Sequence, residues 1–210
     1  LDVNYSLVSD IRTDYNYVIS AFDDFMNESS AVSYKNVKAA TDYYAVPETA
    51  WPVETTDYTS FTQPDVPRTI KFYGVNNDPT STLNATITIS GTDANNQSKT
   101  QSFNAVIPNL GSYSFTTSNA FKTLTNLNVP GSALTATLSL DPQDKLGLPY
   151  YPLNSVSDVN CIKNNAVIAC GAINTAFGTV NSATITQGDN FTFLLSKSAK
   201  GSTSAVDVNS

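Results

Sequence analysis

The clearest structural signal in the chain lies in residues 83–107, which read LNATITISGTDANNQSKTQSFNAVI. From Leu83 to Ile89 an apolar residue stands at every second position, with polar residues between, as in a strand that buries one face. Residues 91–97 are rich in turn formers, and a second alternating run follows around Phe103. The stretch therefore predicts an antiparallel hairpin.

The same period of two continues outward from this hairpin. It predicts eight or nine short strands, and no long helical pattern alternates with them. We therefore expect an all-β fold, an antiparallel β-sandwich of the Ig-like or jelly-roll-like kind, over residues 59–200. Its interior should be formed by Ile87, Ile89, Phe103, Phe115, Leu138, Phe191 and Phe193.

Composition excludes several classes of function. Serine, threonine and asparagine make up 72 of the 210 residues, and only 14% are charged, while 40% are hydrophobic, enough for a core. The net charge of −7 argues against a nucleic-acid partner. Histidine is absent, which excludes histidine-dependent catalysis and zinc sites within this chain. No apolar run approaches 18 residues, so we expect no membrane partner.

The two ends of the chain differ from the middle. Residues 1–58 are predicted to form an N-terminal arm, a short helix and a proline-rich lead-in or edge strand, and residues 201–210 a flexible tail. The arm has an alternating apolar face, and the helix has apolar residues at spacings of three and four. These side chains pack either on the chain's own core or on a neighbouring subunit. The candidates for a subunit interface are Leu1, Val3, Tyr5, Leu7, Tyr15, Phe22 and Phe25.

The chain has two cysteines, Cys161 and Cys170, on either side of the turn signal Asn164-Asn165. A hairpin at this turn would bring the two thiols near each other. Either they form one local disulfide, or both are small buried apolar residues.

The sequence contains few motifs that are typical of catalytic or ligand-binding sites. It has neither a glycine-rich phosphate loop nor a Gly-x-Ser-x-Gly elbow. Asp93 begins a turn that faintly resembles a calcium loop but fits a polar hairpin turn better, and Asp141 and Asp144 flank Pro142 in an expected turn. We therefore predict no catalytic residue, no metal site, no cofactor and no enzymatic activity.

Several blocks between residues 59 and 165 resemble a β-domain that is common among structural proteins of tailed bacteriophages. They occur in one order along the chain. The blocks are QPDVPRTI (63–70), ATITISGTDANN (85–96), AFKTLTNL (120–127), VPG (129–131), DKLGLP (144–149) and SDV (157–159).

The resemblance implies a non-enzymatic virion structural protein, head-associated or decorating the capsid. Its partners would be the major capsid protein and its own copies, and its location the capsid surface. In such an extracellular particle, we predict that Cys161 and Cys170 form a disulfide. One alternative is an extracellular pilus or filament subunit, assembled by strand addition of residues 1–7. Another is a carbohydrate-binding β-domain that stacks Trp51 and tyrosines on sugars.

Overall fold

The structure is a computed structural model that describes residues 30–39, 46–149, 153, 155–181 and 184–195. These residues form fourteen strands and a 3-10 turn at Val156–Asp158. The strands are β1 (Ser30–Val37), β2 (Val46–Ala50), β3 (Thr56–Tyr58), β4 (Arg68–Asn76), β5 (Leu83–Thr92), β6 (Ser98–Ile107), β7 (Gly111–Thr116), β8 (Thr123–Val129), β9 (Thr137–Gly147), β10 (Val159–Lys163), β11 (Ala166–Ile168), β12 (Ile173–Asn174), β13 (Thr179–Asn181) and β14 (Asp189–Leu195).

The strands form three antiparallel sheets. Sheet I has the order β3-β8-β5-β6, and sheet III has the order β1-β14-β10-β11. Sheet II has the order β12-β13-β9-β4-β7, and β2 also pairs with β9. The long strand β9 pairs with β2 through Thr137–Leu140 and with β13 through Lys145–Gly147. Sheet II therefore extends beyond the area that one partner sheet covers.

The first hydrophobic core contains the inward faces of sheet I and of the β2, β4, β7 and β9 part of sheet II. Ile87 and Leu138 are fully buried there. Trp51 packs edge-on against Phe72, with ring centroids 6.0 Å apart, and its Nε1 donates to the carbonyl of Pro130 at 2.9 Å. Trp51 is therefore a core residue and is not available for stacking on a sugar, as the carbohydrate-binding alternative would require.

The second hydrophobic core contains residues of sheet III together with the far end of β9 and β13. Phe191 and Phe193 of β14 are buried and stacked, with centroids 6.2 Å apart. Leu146 of β9 and Val180 of β13 are fully buried in the same cluster. The seven residues expected to form one interior are thus divided between two cores.

Arg68 connects the two cores. Its side chain is fully buried, and its Nε lies 2.8 Å from Oδ1 of Asp65. The guanidinium also donates to the carbonyls of Lys38, just after β1, and of Gln143 in β9. The same Asp65 carboxylate accepts from the backbone N–H of Lys38 at 2.7 Å. One ion pair therefore holds β1, β4 and β9 together.

The all-β antiparallel sandwich predicted from sequence is confirmed. The boundary at residue 58 does not coincide with a break in the sheets, because β1, β2 and β3 pair with β14, β9 and β8. The proline-rich lead-in contributes β2 and β3, of which β3 is one of the two edge strands of sheet I. The predicted N-terminal helix and the tail 201–210 lie outside the described residues.

The turn expected at Pro142 is wrong, because Pro142 lies inside β9 and pairs with Ile70 of β4 across an irregular register. On the other side of β9, β2 pairs only as far as Leu140 and β13 begins at Lys145. The interval between them has no strand partner on that side in the described structure. A proline without an N–H costs little at such a position.

Candidate functional site

The longest regular sheet edge in the described structure is the outer edge of β6. This strand pairs with β5 over all ten of its residues, from Thr92 opposite Ser98 to Leu83 opposite Ile107, without a register shift. β6 is the last strand of sheet I, so its other side has no strand partner among the described residues. A long, regular and unpaired edge is a template for pairing with another chain.

The β5–β6 turn determines which β6 groups point outward. The N–H of Asp93 donates to the carbonyl of Gln97, and the N–H of Asn96 donates to that of Asp93, with Asn96 at positive φ. These bonds define a three-residue hairpin loop. Because hydrogen-bonded pairs alternate along an antiparallel ladder, the backbone groups that point away from β5 belong to Ser98, Thr100, Ser102, Asn104 and Val106.

The turn also explains the resemblance to a calcium loop. One oxygen of the Asp93 carboxylate accepts from the backbone N–H groups of Asn95 and Gln97, at 2.7 and 3.0 Å. The other lies 3.7 Å from Nζ of Lys99. The carboxylate thus stabilises its own turn. Among the described residues, no group of three or more acidic or cysteine side chains is placed to hold a metal ion.

The outer face of β6 is uncharged and ordered by short hydroxyl contacts with β5. Ser102 and Thr88 share a hydrogen bond of 2.8 Å, and Thr100 and Ser90 share one of 3.0 Å. On the inner face, the ring of Phe103 lies 5.9 Å from that of Phe115 in β7. Both rings remain only partly buried because β6 and β7 are edge strands. The edge is therefore a regular polar strand beside a partly open aromatic pair.

The other described edges are shorter or irregular. β3, β11 and β12 have three residues or fewer, and β7 has six. β1 has eight residues, but its register shifts between Tyr34 and Val37, and Asn36 has a φ of 51°. Short strands and bulges are the usual ways to block unwanted edge pairing. β6 has neither of these protections.

A polar cleft of about 490 Å³ lies across sheet II. Its described lining is mostly hydroxyl-bearing and contains one charged side chain, Lys145. Thr69, one of the lining residues, is buried, and its Oγ1 has no hydrogen-bond partner. This lining has no carboxylate and no cysteine, so it offers neither a general acid–base pair nor an activated thiol.

The two carboxylates that flank Pro142 have separate environments. Burial raises the pKa of Asp141, while a hydrogen bond from Tyr73 and the positive charge of Lys71 act in the opposite direction. Asp144 lies 3.7 Å from Nη1 of the buried Arg68. Asp141 therefore belongs to a half-buried cluster with Tyr73 and Lys71 on sheet II, whereas Asp144 belongs to the connection between the cores.

The cysteine pair predicted from the sequence is bonded. Cys161 lies in β10, Cys170 follows β11, and the two Cα atoms are 5.2 Å apart across the disulfide. Asn164 and Asn165 both have positive φ in the turn between the strands, as a two-residue hairpin loop requires. The bond links β10 to the segment after β11 and packs against the second core.

The seven interface candidates in the arm and helix, from Leu1 to Phe25, lie outside the described residues. The sequence analysis missed β6 as an edge and Arg68 as a buried cation. A signal for Arg68 was present, because it lies three residues after Asp65, directly after Pro67, and in phase with inward-facing Ile70 and Phe72.

Comparisons with protein-family models, with curated proteins and with solved structures return no match for this chain. The part of the chain that the structure describes contains no helix with the length and hydrophobicity that a bilayer crossing requires.

Proposed function

We propose that the protein is a non-enzymatic structural component of a virion, which binds capsid subunits and its own copies on the capsid surface. The observation that carries this proposal is the edge of β6, which is ten residues long, regular and without a strand partner among the described residues. An exposed edge supplies backbone hydrogen bonds to a partner and needs no catalytic group. The net charge of −7 also suits a protein that binds other proteins rather than nucleic acid.

The resemblance to phage structural domains supports the same proposal through the placement of its blocks. The backbones of Arg68 and Phe121 exchange hydrogen bonds, and the N–H of Gly147 donates to the carbonyl of Pro67 at 2.8 Å. A Cβ on Gly147 would lie 2.4 Å from Cβ of Ala120, so these blocks meet closely. Three of the blocks thus form one packed unit at the junction of the cores.

The test is binding of the full chain to capsids assembled without it, measured by co-sedimentation and located by electron microscopy. We expect density at regular positions on the capsid surface. A triple substitution of Tyr15, Phe22 and Phe25 by serine should weaken binding, because the sequence predicts these residues to form a subunit interface. The control is Val53→Ser, at a side chain that is 75% exposed in the described structure. A chain that stays in the supernatant with every capsid preparation would contradict the proposal.

A pilus or filament subunit is the second candidate, because the same β6 edge could accept a donated strand from another copy. In that case the purified full chain should form filaments at high concentration without capsids. Electron micrographs of the purified protein distinguish the two functions.

A further inference from the structure

We propose that β6 pairs with β6 of a second copy of this chain, antiparallel and about a two-fold axis that passes next to Ser102. This pairing joins two copies of sheet I into one eight-stranded sheet. The inference names the partner of the β6 edge and rests on the proposed function, that is, on assembly of the protein with its own copies. Three features of the edge carry it.

The first feature is the symmetry of the free backbone groups. The five residues with outward N–H and C=O groups are spaced by two along β6, and Ser102 is the middle one. A two-fold axis at Ser102 places Ser98 opposite Val106 and Thr100 opposite Asn104. All five then exchange hydrogen bonds with the second copy, whereas an axis at any other outward residue leaves some of them unpaired.

The second feature is charge. The chain has a net charge of −7, so two copies repel each other over most of their surfaces. β6 has no acidic residue, and its only charged side chain, Lys99, contacts Asp93 of the same chain. In the proposed register Lys99 lies opposite Ala105, so the two lysines do not face each other. The edge is therefore a favourable place for two acidic chains to meet.

The third feature is apolar surface that the pairing would cover. Val106 is 65% exposed at the end of β6, and Leu110, just after the strand, is 66% exposed. Phe103 is only partly buried, and in this register it lies opposite Gln101 of the second copy. Pairing therefore adds apolar contact to the backbone hydrogen bonds, as in other cases of strand addition.

Two substitutions on the same face of sheet I test the pairing. Ser102→Lys places two lysines opposite each other at the axis, and Ser102→Pro removes an outward N–H without removing a bond to β5. The matched control is Thr88→Lys, at the residue that is hydrogen-bonded to Ser102 but lies one strand further from the edge. Sedimentation should give twice the 22.5 kDa chain mass for the unmodified protein and for Thr88→Lys, and the chain mass for both Ser102 variants.

Hydrogen exchange gives a readout that a merely destabilised variant would not reproduce. The amides of Ser98, Thr100, Ser102, Asn104 and Val106 should be protected at least tenfold more at concentrations where the dimer forms than where the monomer dominates. The amides of Lys99 and Phe103 bond to β5 and should be protected in both states. A Ser102→Cys variant should form a covalent dimer on mild oxidation, whereas Thr88→Cys should not.

Three results would overturn the pairing. One is a monomer with fast-exchanging outward amides at every concentration tested. Another is a dimer that persists in both Ser102 variants, because it would use another surface. The third is protection of the same amides in a monomeric chain by a synthetic peptide of residues 1–7, which would make the edge a site for strand donation. Failure of capsid binding alone would contradict the proposed function and leave the dimer measurements unaffected.

Discussion

The two hydrophobic cores are built from different kinds of chain segment. The first core uses residues between Val46 and Leu140, and its strands β5 and β6 are joined by a three-residue loop. The second core uses β1 and β14 from opposite ends of the described chain, and the hydroxyls of Ser33 and Thr192 are 3.1 Å apart although 159 residues separate them. Such distant contacts must offset a larger loop-closure entropy.

The second core has a disulfide, which the first core lacks in the described structure. The disulfide Cys161–Cys170 closes its hairpin, and Asp189 accepts a salt bridge from Lys163 at 2.7 Å. Tyr34 of β1 donates its hydroxyl to the carbonyl of Gly147 in β9. Both cores combine apolar burial with polar contacts, such as the hydroxyl of Tyr113 that donates to the carbonyl of Thr137 in the first core, and the second core adds a covalent link.

The largest expected effect is in the first core. Ile89→Asp places a carboxylate at a position that is 2% exposed, and we expect it to cost about 5 kcal/mol of the free energy of unfolding. Because β9 contributes residues to both cores, the second core should unfold with the first. Thermal melts measure the effect. Thr88→Asp, on the outer face, is the control and should cost less than about 1 kcal/mol. Equal melts for the two variants would show that the strand register is wrong.

The second largest loss of stability is expected from substitution of Arg68, which connects the two cores. Arg68→Leu leaves Asp65 and two backbone carbonyls without their buried donor, and we expect a loss of about 3–4 kcal/mol. Lys145→Leu, an exposed lysine in β9, is the control. Fluorescence of Trp51, the single tryptophan, reports the first core, and amide exchange of Phe193 reports the second. If the midpoint of unfolding reported by each of the two probes is the same in Arg68→Leu as in the unmodified protein, this role of Arg68 is contradicted.

Sequence periodicity predicted the strands and their buried faces, but it does not contain the order of strands in the sheets. Ile87, Ile89, Leu138, Phe191 and Phe193 are buried as expected. Periodicity shows which face of a strand is buried, but it does not show which sheet the strand packs against, so the separation into two cores was not predictable.

The same limitation applies to the candidate site. Residues 98–107 contain neither proline nor an acidic residue, which is visible in the sequence. Whether such a strand is central or at an edge depends on its neighbours, and only the sheet order answers that. The disulfide was predictable because its turn is local, with two asparagines suited to positive φ. The pairing of β1 with β14 was not, because no local signal connects the ends of the chain.

A smaller effect is expected from loss of the disulfide. Replacing Cys161 and Cys170 by alanine should lower the free energy of unfolding by roughly 2–3 kcal/mol, the loop-closure value for a loop of this length. Amide hydrogen exchange should become faster in β10 and β11, while the fluorescence of Trp51 in the native state stays unchanged. Reduction of the unmodified protein should reproduce the effect without changing a side chain. Alkylation of both cysteines before any reduction would show that the bond is absent from the protein.

The smallest effect tests the polar cluster of the second core through pH. Burial raises the pKa of Asp189, but hydrogen bonds from Lys163, Thr186 and Asn164 together outweigh it and lower the pKa from 3.8 to about 2. A carboxyl with a lowered folded-state pKa stabilises the fold fully above its unfolded value of 3.8, and that contribution is lost as the pH falls toward 2. We expect Asp189→Asn to cost about 2 kcal/mol at neutral pH and to flatten the pH dependence of unfolding between about pH 4 and 2.

The matched control is Asp57→Asn, at an exposed carboxylate of sheet I whose pKa is lowered by hydrogen bonds from Asn128 and Asn126. Because solvent screens the site of Asp57, its substitution should change the pH dependence of the free energy of unfolding less than Asp189→Asn does. Urea unfolding from pH 2 to 7 measures the free energy of unfolding at each pH. If this free energy depends on pH in the same way in both variants, the polar cluster does not distinguish the second core from the first.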